Sequence, residues 1–367
     1  MSSIYRAEVI SSLIRPSYLS TARAAAAAGH IEPPEFKRVE DRAVDQAIAL
    51  QEGTGVDVVS DGEMRRFSFF DHLLTAVTGV TERPGSGIRF HGERSEEDFD
   101  FRSPVTVVDR IHTKRMLTVD EFCYARARAR FPLKVTLPSP LLLYSAWSPE
   151  HTRDAYSDPF ELFADGVEII RSEARELARL GCTYIQIDSP DLGTLADPEN
   201  RALRESLGMP TERTLREGVD MINAVADVPG VTFGLHLCKG NYQSKWIATG
   251  GYDELADHIF RRATNFDTFL LEYDDERSGS FAPLAQIPDD KKVVLGLLSS
   301  KRPEVEPVDA LLGRVEEAAR YVDRERLALS TQCGFASVAP GANLIDEQVQ
   351  EAKLRRVAEA AHEAWSR

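Results

Sequence analysis

The chain lacks the features that mark membrane, secreted and disulfide-stabilised proteins. Among its 367 residues, no apolar run approaches the roughly 20 residues that a membrane-spanning helix requires. Its first residues contain no apolar segment of the kind found in secretory signal peptides. Its four cysteines are scattered too widely to indicate a disulfide framework. A soluble, cytoplasmic protein is therefore expected, with no membrane partner.

Positive charge is also scarce, and the common nucleotide motifs are missing. The chain has 44 lysine and arginine residues against 59 aspartate and glutamate residues, which gives a formal net charge of -15. No stripe rich in lysine and arginine is available to neutralise phosphates, so no nucleic-acid partner is expected. No G-x-G-x-x-G segment joins a strand to a helix, and neither a Walker-type nor a G-x-S-x-G motif is present.

What the sequence contains is a regular alternation of apolar and amphipathic segments. Apolar runs predict strands at residues 8–16, 56–60, 134–137, 184–188, 231–235, 268–272, 292–298 and 327–330. Helical patterns are found at residues 22–29, 34–53, 161–180, 211–225, 252–263, 308–321 and 346–365. Such alternation indicates a parallel sheet, and about eight strands favour a closed (β/α)8 TIM barrel of the α/β class. Residues 1–367 are interpreted as one TIM-barrel domain.

One stretch, at about residues 79–116, interrupts this alternation. Glycine, proline and charged residues cluster there, between short segments of alternating polarity such as Val105 to Val108. This composition predicts an irregular insertion that carries hairpins and lies over one end of the barrel.

Three of the predicted strands lead into metal-ligand side chains. His236 and Cys238 are two residues apart, so in an extended chain they face the same side. Glu272 ends a later strand, and Cys333 follows the last one. A lone His-x-Cys pair is also typical of a core histidine beside a buried thiol. One imidazole, two thiols and one carboxylate at barrel strand ends nevertheless form a ligand set that suits zinc.

Other strand ends carry hydroxyls and carboxylates. The first strand contains Ser11 and Ser12, the second leads into Asp61 and Glu63, and the fourth ends on Asp188. Asp61 and Glu63 are also compatible with a turn and a helix cap. Glu63 is the better placed of the two to point into a site.

Six short motifs, taken in order, resemble the catalytic C-terminal barrel of the cobalamin-independent methionine synthase family. They are Ile10-Ser11-Ser12, Val59-Ser60-Asp61-Gly62-Glu63, Ile185-Gln186-Ile187-Asp188, His236-Leu237-Cys238, Leu270-Leu271-Glu272 and Gln332-Cys333-Gly334-Phe335. The resemblance extends over nearly the whole chain and is closest to the short, single-barrel members of the family.

The resemblance implies a zinc-dependent methyltransferase that converts homocysteine to methionine. It places zinc on four ligands, which are His236, Cys238, Glu272 and Cys333. It places the amino acid part of homocysteine on Ser12, Glu63 and Asp188, and it makes Asp188 the candidate catalytic residue. Binding to the metal would deprotonate the thiol and so generate the nucleophile.

The methyl donor stays open between methyl-folate, a methylated corrinoid protein and a small methylated compound. Ser189-Pro190 replaces the glutamate that follows the aspartate in the family, and residues 136–140 do not reproduce its tryptophan-bearing loop. Three alternatives accompany the leading interpretation. One is alkyl transfer involving another thiol, as in the similar epoxyalkane:coenzyme M transferases, and one is a metal-free decarboxylase of the uroporphyrinogen type. The third is a non-catalytic zinc-binding barrel. Two carboxylates opposite an ammonium favour an amino acid thiol.

Overall fold

A computed structural model describes residues 5–339 and 343–366; residues 1–4, part of the segment inspected for a signal peptide, lie outside the described residues. The strands are β1 (Ala7–Glu8), β2 (Val80–Glu82), β3 (Gly87–Phe90), β4 (Phe99–Arg102), β5 (Val105–Val107), β6 (Val135–Pro138), β7 (Tyr184–Asp188), β8 (Thr232–Leu237), β9 (Thr268–Glu272), β10 (Lys292–Leu298) and β11 (Leu327–Thr331). The α-helices are α1 (Ser17–Ala27), α2 (Pro33–Thr54), α3 (Asp71–Thr75), α4 (Val119–Arg126), α5 (Pro159–Arg179), α6 (Pro190–Gly193), α7 (Pro198–Ser206), α8 (Thr211–Arg213), α9 (Val219–Val225), α10 (Ala256–Ile259), α11 (Val308–Ala318) and α12 (Glu347–Trp365). A π-helical segment, Thr214–Gly218, joins α8 to α9.

Seven of these strands form one parallel sheet, in the order β1-β11-β10-β9-β8-β7-β6. The gap between β6 and β1 is filled by residues 57–59. There the Asp57 amide donates to the Ala7 carbonyl at 2.8 Å, and the Val59 amide donates to the Pro132 carbonyl at 2.9 Å. The sheet therefore closes on itself, and the predicted α/β TIM-barrel fold is confirmed.

The prediction of a full strand at residues 56–60 is wrong. This segment forms a single parallel bridge, between Val59 and Leu133, instead of a ladder. The reason is that the Asp57 side chain takes over main-chain pairing, since its Oδ2 accepts from the amides of Arg6 at 2.6 Å and Ala7 at 3.0 Å. The first predicted strand is also shorter than expected, because the chain beyond residue 8 leaves the ladder and the Leu13 amide turns to the Gly62 carbonyl.

Six of the seven predicted helices lie at about the predicted residues, whereas α3, α4, α6 and α7 were not predicted. Helix α5 begins with Pro159 after Asp158, whose side chain accepts from the Phe160 amide at 2.9 Å and so satisfies a free helix donor. The helix predicted over residues 252–263 is wrong in length, since α10 covers only Ala256–Ile259. The segment before α10 is held by Tyr252, whose buried hydroxyl donates to the Leu237 carbonyl at 2.7 Å. The side chain is therefore not part of the apolar face of a helix, as the prediction required.

Two antiparallel ribbons lie within the predicted insertion. β2 pairs with β5, and β3 pairs with β4. The insertion is tied to the loop after β8, where the amides and carbonyls of His91 and Trp246 exchange hydrogen bonds of 2.7 and 3.1 Å. The predicted hairpins are therefore present, and they reach the end of the barrel where β8 delivers its side chains. The assignment of the whole chain to one domain stays a prediction.

No helix among the described residues is long and apolar enough to cross a membrane. The cytoplasmic location stays a prediction.

A buried ion pair joins β1 to the start of β6 inside the barrel. Lys134 Nζ lies 2.5 Å from Glu8 Oε2 and also donates to the Val9 carbonyl at 2.8 Å. The Tyr184 hydroxyl donates to the same Glu8 oxygen at 3.2 Å. Because both charged groups are removed from water, removing either partner leaves an uncompensated buried charge.

Replacing Lys134 with methionine is expected to lower the free energy of unfolding by about 3–5 kcal/mol, because Glu8 loses its counter-ion. Urea unfolding measures the change. The additional substitution Glu8→Gln should restore part of the loss.

The matched control is Lys37→Met. The Lys37 side chain is 62% exposed and pairs with Asp41 one helical turn away, so its removal should change stability by less than about 1 kcal/mol. Equal effects of the two lysine substitutions would contradict the assignment of the buried pair.

Candidate active site and metal centre

The side chains of His236, Cys238 and Cys333 meet at the carboxyl end of the barrel. One ring nitrogen of His236 and the two sulfurs all lie within 4.8 Å of one another. His236 belongs to β8, Cys238 follows directly after it, and Cys333 lies just beyond β11. All three residues are buried. The closed barrel thus assembles the imidazole and both thiols that the sequence placed on separate strand ends.

The orientation of His236 leaves one ring nitrogen without a hydrogen bond. Nδ1 lies 3.2 Å from the Leu270 carbonyl, an acceptor that requires the proton on this nitrogen. Nε2 is buried and has no hydrogen-bond partner in the described part of the chain. Its lone pair is therefore available to a cation, the arrangement typical of a metal-binding histidine.

The pKa values of His236, Cys238 and Cys333 are shifted in different directions. Interaction with the Cys238 thiol lowers the pKa of Cys333 well below its ordinary value, although burial opposes this. The same interaction, together with burial, raises the pKa of Cys238 well above its ordinary value. Burial lowers the pKa of His236, but contact with Cys333 outweighs burial and raises it. One sulfur of the pair ionises readily, as a metal ligand must.

Glu272 is not brought into this cluster. Its Oε2 accepts from the Lys239 amide at 2.7 Å, and its Oε1 accepts from Lys301 Nζ at 3.2 Å. Lys301 also lies 3.1 Å from Asp274. Burial opposes ionisation of Glu272, but the Lys301 and Lys239 ammonium groups outweigh it and lower its pKa to about 2. Its carboxylate is ionised and adjoins the cluster through the main chain of Lys239, the residue after Cys238.

Asp188 lies beside the cluster because β7 and β8 pair in register. Asp188 is the direct neighbour of His236 across the two strands. Gln186, two residues earlier on the same face of β7, donates from Nε2 to Asp188 Oδ1 at 2.6 Å. Burial, assisted by the negative charge of Glu63, raises the pKa of Asp188 to about 7. Asp188 can therefore hold or release a proton near neutral pH.

Glu63 reaches the same region from a strained turn. Its φ of 56° is unusual for a residue with a side chain, and Gly62 before it has a φ of 68°. Thr136 Oγ1 donates to Glu63 Oε1 at 2.8 Å, and Arg66 lies 3.5 Å from the same oxygen. Oε2 has no hydrogen-bond partner among the described residues. This free oxygen is suited to a ligand that carries a positive charge.

Ser12 is held by the close approach of the segment after Cys333. A Cβ added at Gly334 would lie 1.7 Å from Ser12 Oγ, so only glycine fits at this position. The Phe335 amide donates to the Ser12 carbonyl at 2.7 Å. The first and last segments of the barrel are thereby locked together beside the cluster.

One cleft connects these groups, enclosing about 870 Å³ of space that includes its opening to solvent. Its walls include six of the seven predicted site residues, namely Ser12, Glu63, Asp188, His236, Cys238 and Cys333. Glu272 lies behind the wall. The sequence reasoning missed Arg66, Thr136 and Gln186, which orient the carboxylates. Gln186 could have been found, because it precedes Asp188 by two residues on one strand face.

The strand ends of this closed α/β barrel direct thiols, an imidazole and carboxylates into one cleft. A cleft of this kind, at the carboxyl face of the barrel, is typical of the active sites of barrel enzymes. The family described as cobalamin-independent synthase, catalytic domain, matches residues 9–362. The chain belongs to this family of methionine synthase-type methyltransferases, as its sequence motifs predict.

The chain is also similar to individual proteins and to solved structures. The uncharacterized protein YxjG of Bacillus subtilis is 35% identical, with 98% of this chain and 95% of that protein covered. The methionine synthase of Pyrococcus abyssi is 25% identical, with 96% of this chain and 90% of that protein covered. A solved B12-independent methionine synthase from Shewanella shares the fold, with a TM-score of 0.76 at 19% identity, and 98% of this chain and 97% of that one are covered.

The substitution Gly334→Ala is expected to lower the free energy of unfolding by about 1–3 kcal/mol, because the new methyl group overlaps the Ser12 side chain. Replacing Ser12 with glycine in the same chain should recover most of this loss. Chemical denaturation of the single and double variants measures the coupling.

Gly313→Ala in α11 is the control, since a Cβ there meets nothing within 4 Å and should be neutral or stabilising. Strictly additive effects of the Gly334 and Ser12 substitutions would contradict the proposed contact.

Proposed function

We propose that the protein transfers a methyl group to a thiol in a zinc-dependent reaction, with homocysteine as acceptor and methionine as product. The observation that carries this proposal is that His236, Cys238 and Cys333 open into the cleft lined by Glu63 and Asp188. A thiol-binding centre and two carboxylates suited to an ammonium group thus share one space.

His236, Cys238 and Cys333 fit a zinc ion. The unpaired Nε2 of His236 and two neighbouring sulfurs supply three ligands of the kinds zinc prefers, which leaves one position for substrate. Zinc supplies a cation that keeps a bound thiol deprotonated near neutral pH. Two cysteines and a histidine with an open position are typical of a catalytic site, whereas a closed structural site has four protein ligands. This arrangement favours the enzyme over the non-catalytic alternative.

Glu272 takes the role of an exchangeable ligand in this proposal. Its carboxylate already has two partners, the Lys239 amide and the Lys301 ammonium group. Those partners stabilise the carboxylate when it is away from the metal, since a buried charge without a partner is costly. A thiol could therefore bind to a metal held by His236, Cys238 and Cys333 without leaving an unpaired Glu272 carboxylate in the interior.

The carboxylates support an amino acid thiol as the acceptor. Glu63 Oε2 is free, and Asp188 stands beside His236, so both can receive the ammonium group of homocysteine. Ser12 borders the same cleft and supplies a hydroxyl. A thiol with a sulfonate in place of the amino group would face the Glu63 carboxylate and the partly ionised Asp188 at this end, which disfavours the coenzyme M alternative. We place the reaction in the cytoplasm.

Purified protein is expected to contain about one zinc per chain, and Cys238→Ser should lose it because a hydroxyl is a far poorer ligand than a thiolate. Elemental analysis after purification without chelator measures the metal. In the parent protein, homocysteine sulfur should enter the coordination shell, which X-ray absorption spectroscopy detects.

Cys123→Ser is the matched control, because Cys123 is exposed and distant in sequence from the cluster; it should retain zinc. Absence of zinc from the parent protein would refute the proposal. Zinc whose coordination does not change when homocysteine is added would mean that the acceptor is another thiol or that the site is structural.

Glu63→Gln is expected to raise the KM for homocysteine by about 10- to 100-fold, since a charge-assisted hydrogen bond to the ammonium group is lost. The KM for 4-mercaptobutanoate, which has no amino group, should change much less. Steady-state kinetics with both acceptors test the assignment. An equal change in KM for both acceptors would show that Glu63 does not bind the ammonium group.

A further inference from the structure

The cleft that holds the acceptor-binding residues is also lined by aromatic side chains, here called the aromatic compartment, which include Phe90, Phe101, Tyr144 and Tyr242. Phe90 and Phe101 come from the insertion, and Tyr242 comes from the loop after β8. The Tyr242 ring meets them edge to face, with centroid distances of 5.7 Å to Phe90 and 6.1 Å to Phe101. Nothing in the acceptor chemistry requires this aromatic wall.

A buried arginine lines the same cleft. Arg204, on α7, is only 3% exposed, and its guanidinium lies over the Tyr144 ring at 3.3 Å from the centroid. Among the described residues it forms no ion pair with a carboxylate, whereas Arg201 on the same helix pairs with Glu254 at 2.6 Å. Burial raises the pKa of Asp191 and the Arg204 guanidinium lowers it, so this carboxylate offsets part of the arginine's charge without forming an ion pair with it. The N–H donors of Arg204 therefore stay available to the carboxylate of a ligand in the cleft.

Asp191 adds a negative charge next to this arginine in the cleft wall. Ser139 and Ser189 donate to its Oδ2 at 3.2 and 3.0 Å, while its buried Oδ1 has no hydrogen-bond partner in the described ranges. Its helix α6 packs directly on the metal-ligand segment, since a Cβ at Gly193 would lie 2.4 Å from the Cys238 carbonyl oxygen. Asp191 is therefore close to the segment that carries Cys238, and the cleft presents both a cation and an anion.

We infer that the aromatic compartment binds the methyl donor, and that this donor is a small methylsulfonium carboxylate. The sulfonium cation lies against the aromatic rings, which attract onium groups through their negative faces, and Arg204 binds the carboxylate in a bidentate manner. The free oxygen of Asp191 contributes negative charge beside the sulfonium. This inference rests on the proposed function, because the acceptor thiol receives the donor's methyl group.

The transfer balances without a further reactant. The thiolate sulfur of the acceptor forms a bond to the methyl carbon while the bond between that carbon and the sulfonium sulfur breaks. The bonding electron pair stays on the donor sulfur, which leaves as a neutral thioether. No proton has to be supplied to the leaving group, and the positive charge of the donor is neutralised by the negative charge of the thiolate.

The position of Arg204 sets the length of the donor. Because Arg204 is buried within the wall, the carboxylate has to lie inside the cleft, close to the aromatic rings. A donor with its methyl group on a broad ring system and its carboxylates on a long tail would place those carboxylates at the rim instead. A compact zwitterion therefore fits the described residues better than a methyl-folate.

The experiment compares dimethylsulfoniopropionate with trimethylsulfonium, which has no carboxylate, as donors to homocysteine in the zinc-loaded protein. The parent should prefer the carboxylate-bearing donor in kcat/KM. Arg204→Gln should lower this preference by about 10- to 100-fold, the loss expected for a charge-assisted hydrogen bond. Arg201→Gln, on the same helix but paired with Glu254, should keep the preference of the parent.

Calorimetry measures the binding of dimethylsulfoniopropionate without acceptor and so gives a second readout that needs no turnover. The Arg204→Lys variant should bind it with intermediate affinity, because lysine keeps the positive charge but loses the paired N–H donors of the guanidinium. If zinc and homocysteine bind but only a methyl-folate donates, this inference fails while the proposed function stands. An unchanged donor preference in Arg204→Gln also overturns it. If zinc or homocysteine does not bind, the proposed function itself fails.

Discussion

The parallel register between neighbouring strands is the constraint on which the site depends. β7 and β8 pair so that Asp188 lies beside His236, and β9 pairs with β10 so that Glu272 lies beside Gly296. Since all barrel strands run in one direction, their carboxyl ends meet at one end of the molecule. A shift of one residue in any pairing would turn its side chains to the opposite face.

Burying so many ionisable groups in one place requires partners for nearly all of them. Glu272 is compensated by Lys301, and Glu63 by Arg66 and Thr136. The groups without partners point to function, because an unsatisfied buried polar atom costs free energy in the folded state. Among the described residues, His236 Nε2 and Glu63 Oε2 are such atoms, and both belong to residues of the cleft wall. The proposed binding of a cation and an ammonium group would recover their cost.

The insertion makes the site of this chain more than a set of barrel strand ends. Its ribbons bring apolar side chains such as Phe90 and Phe101 over the cleft, and its contact with Trp246 fastens it to the loop after the His-x-Cys motif. An aromatic cover over charged groups excludes water, and electrostatic interactions inside the cleft are strengthened as a result. The family provides the barrel, and the insertion adds the cover over its cleft.

The barrel class and most strands were predictable from the sequence, because a buried strand or an amphipathic helix is a local pattern with a fixed period. The convergence of His236, Cys238, Cys333 and Asp188 on one cleft was predictable as well, since each lies at or near the end of such a strand, whereas the roles of the site residues stay predictions. Tertiary structure alone decided where the Glu272 carboxylate points, because its partner Lys301 lies 29 residues away. It also decided that Asp57 replaces a strand ladder with its side chain, and that Arg204 lies over the Tyr144 ring with none of the described carboxylates in an ion pair with it. These features depend on which side chains meet across the closed barrel, and no local period encodes such long-range contacts.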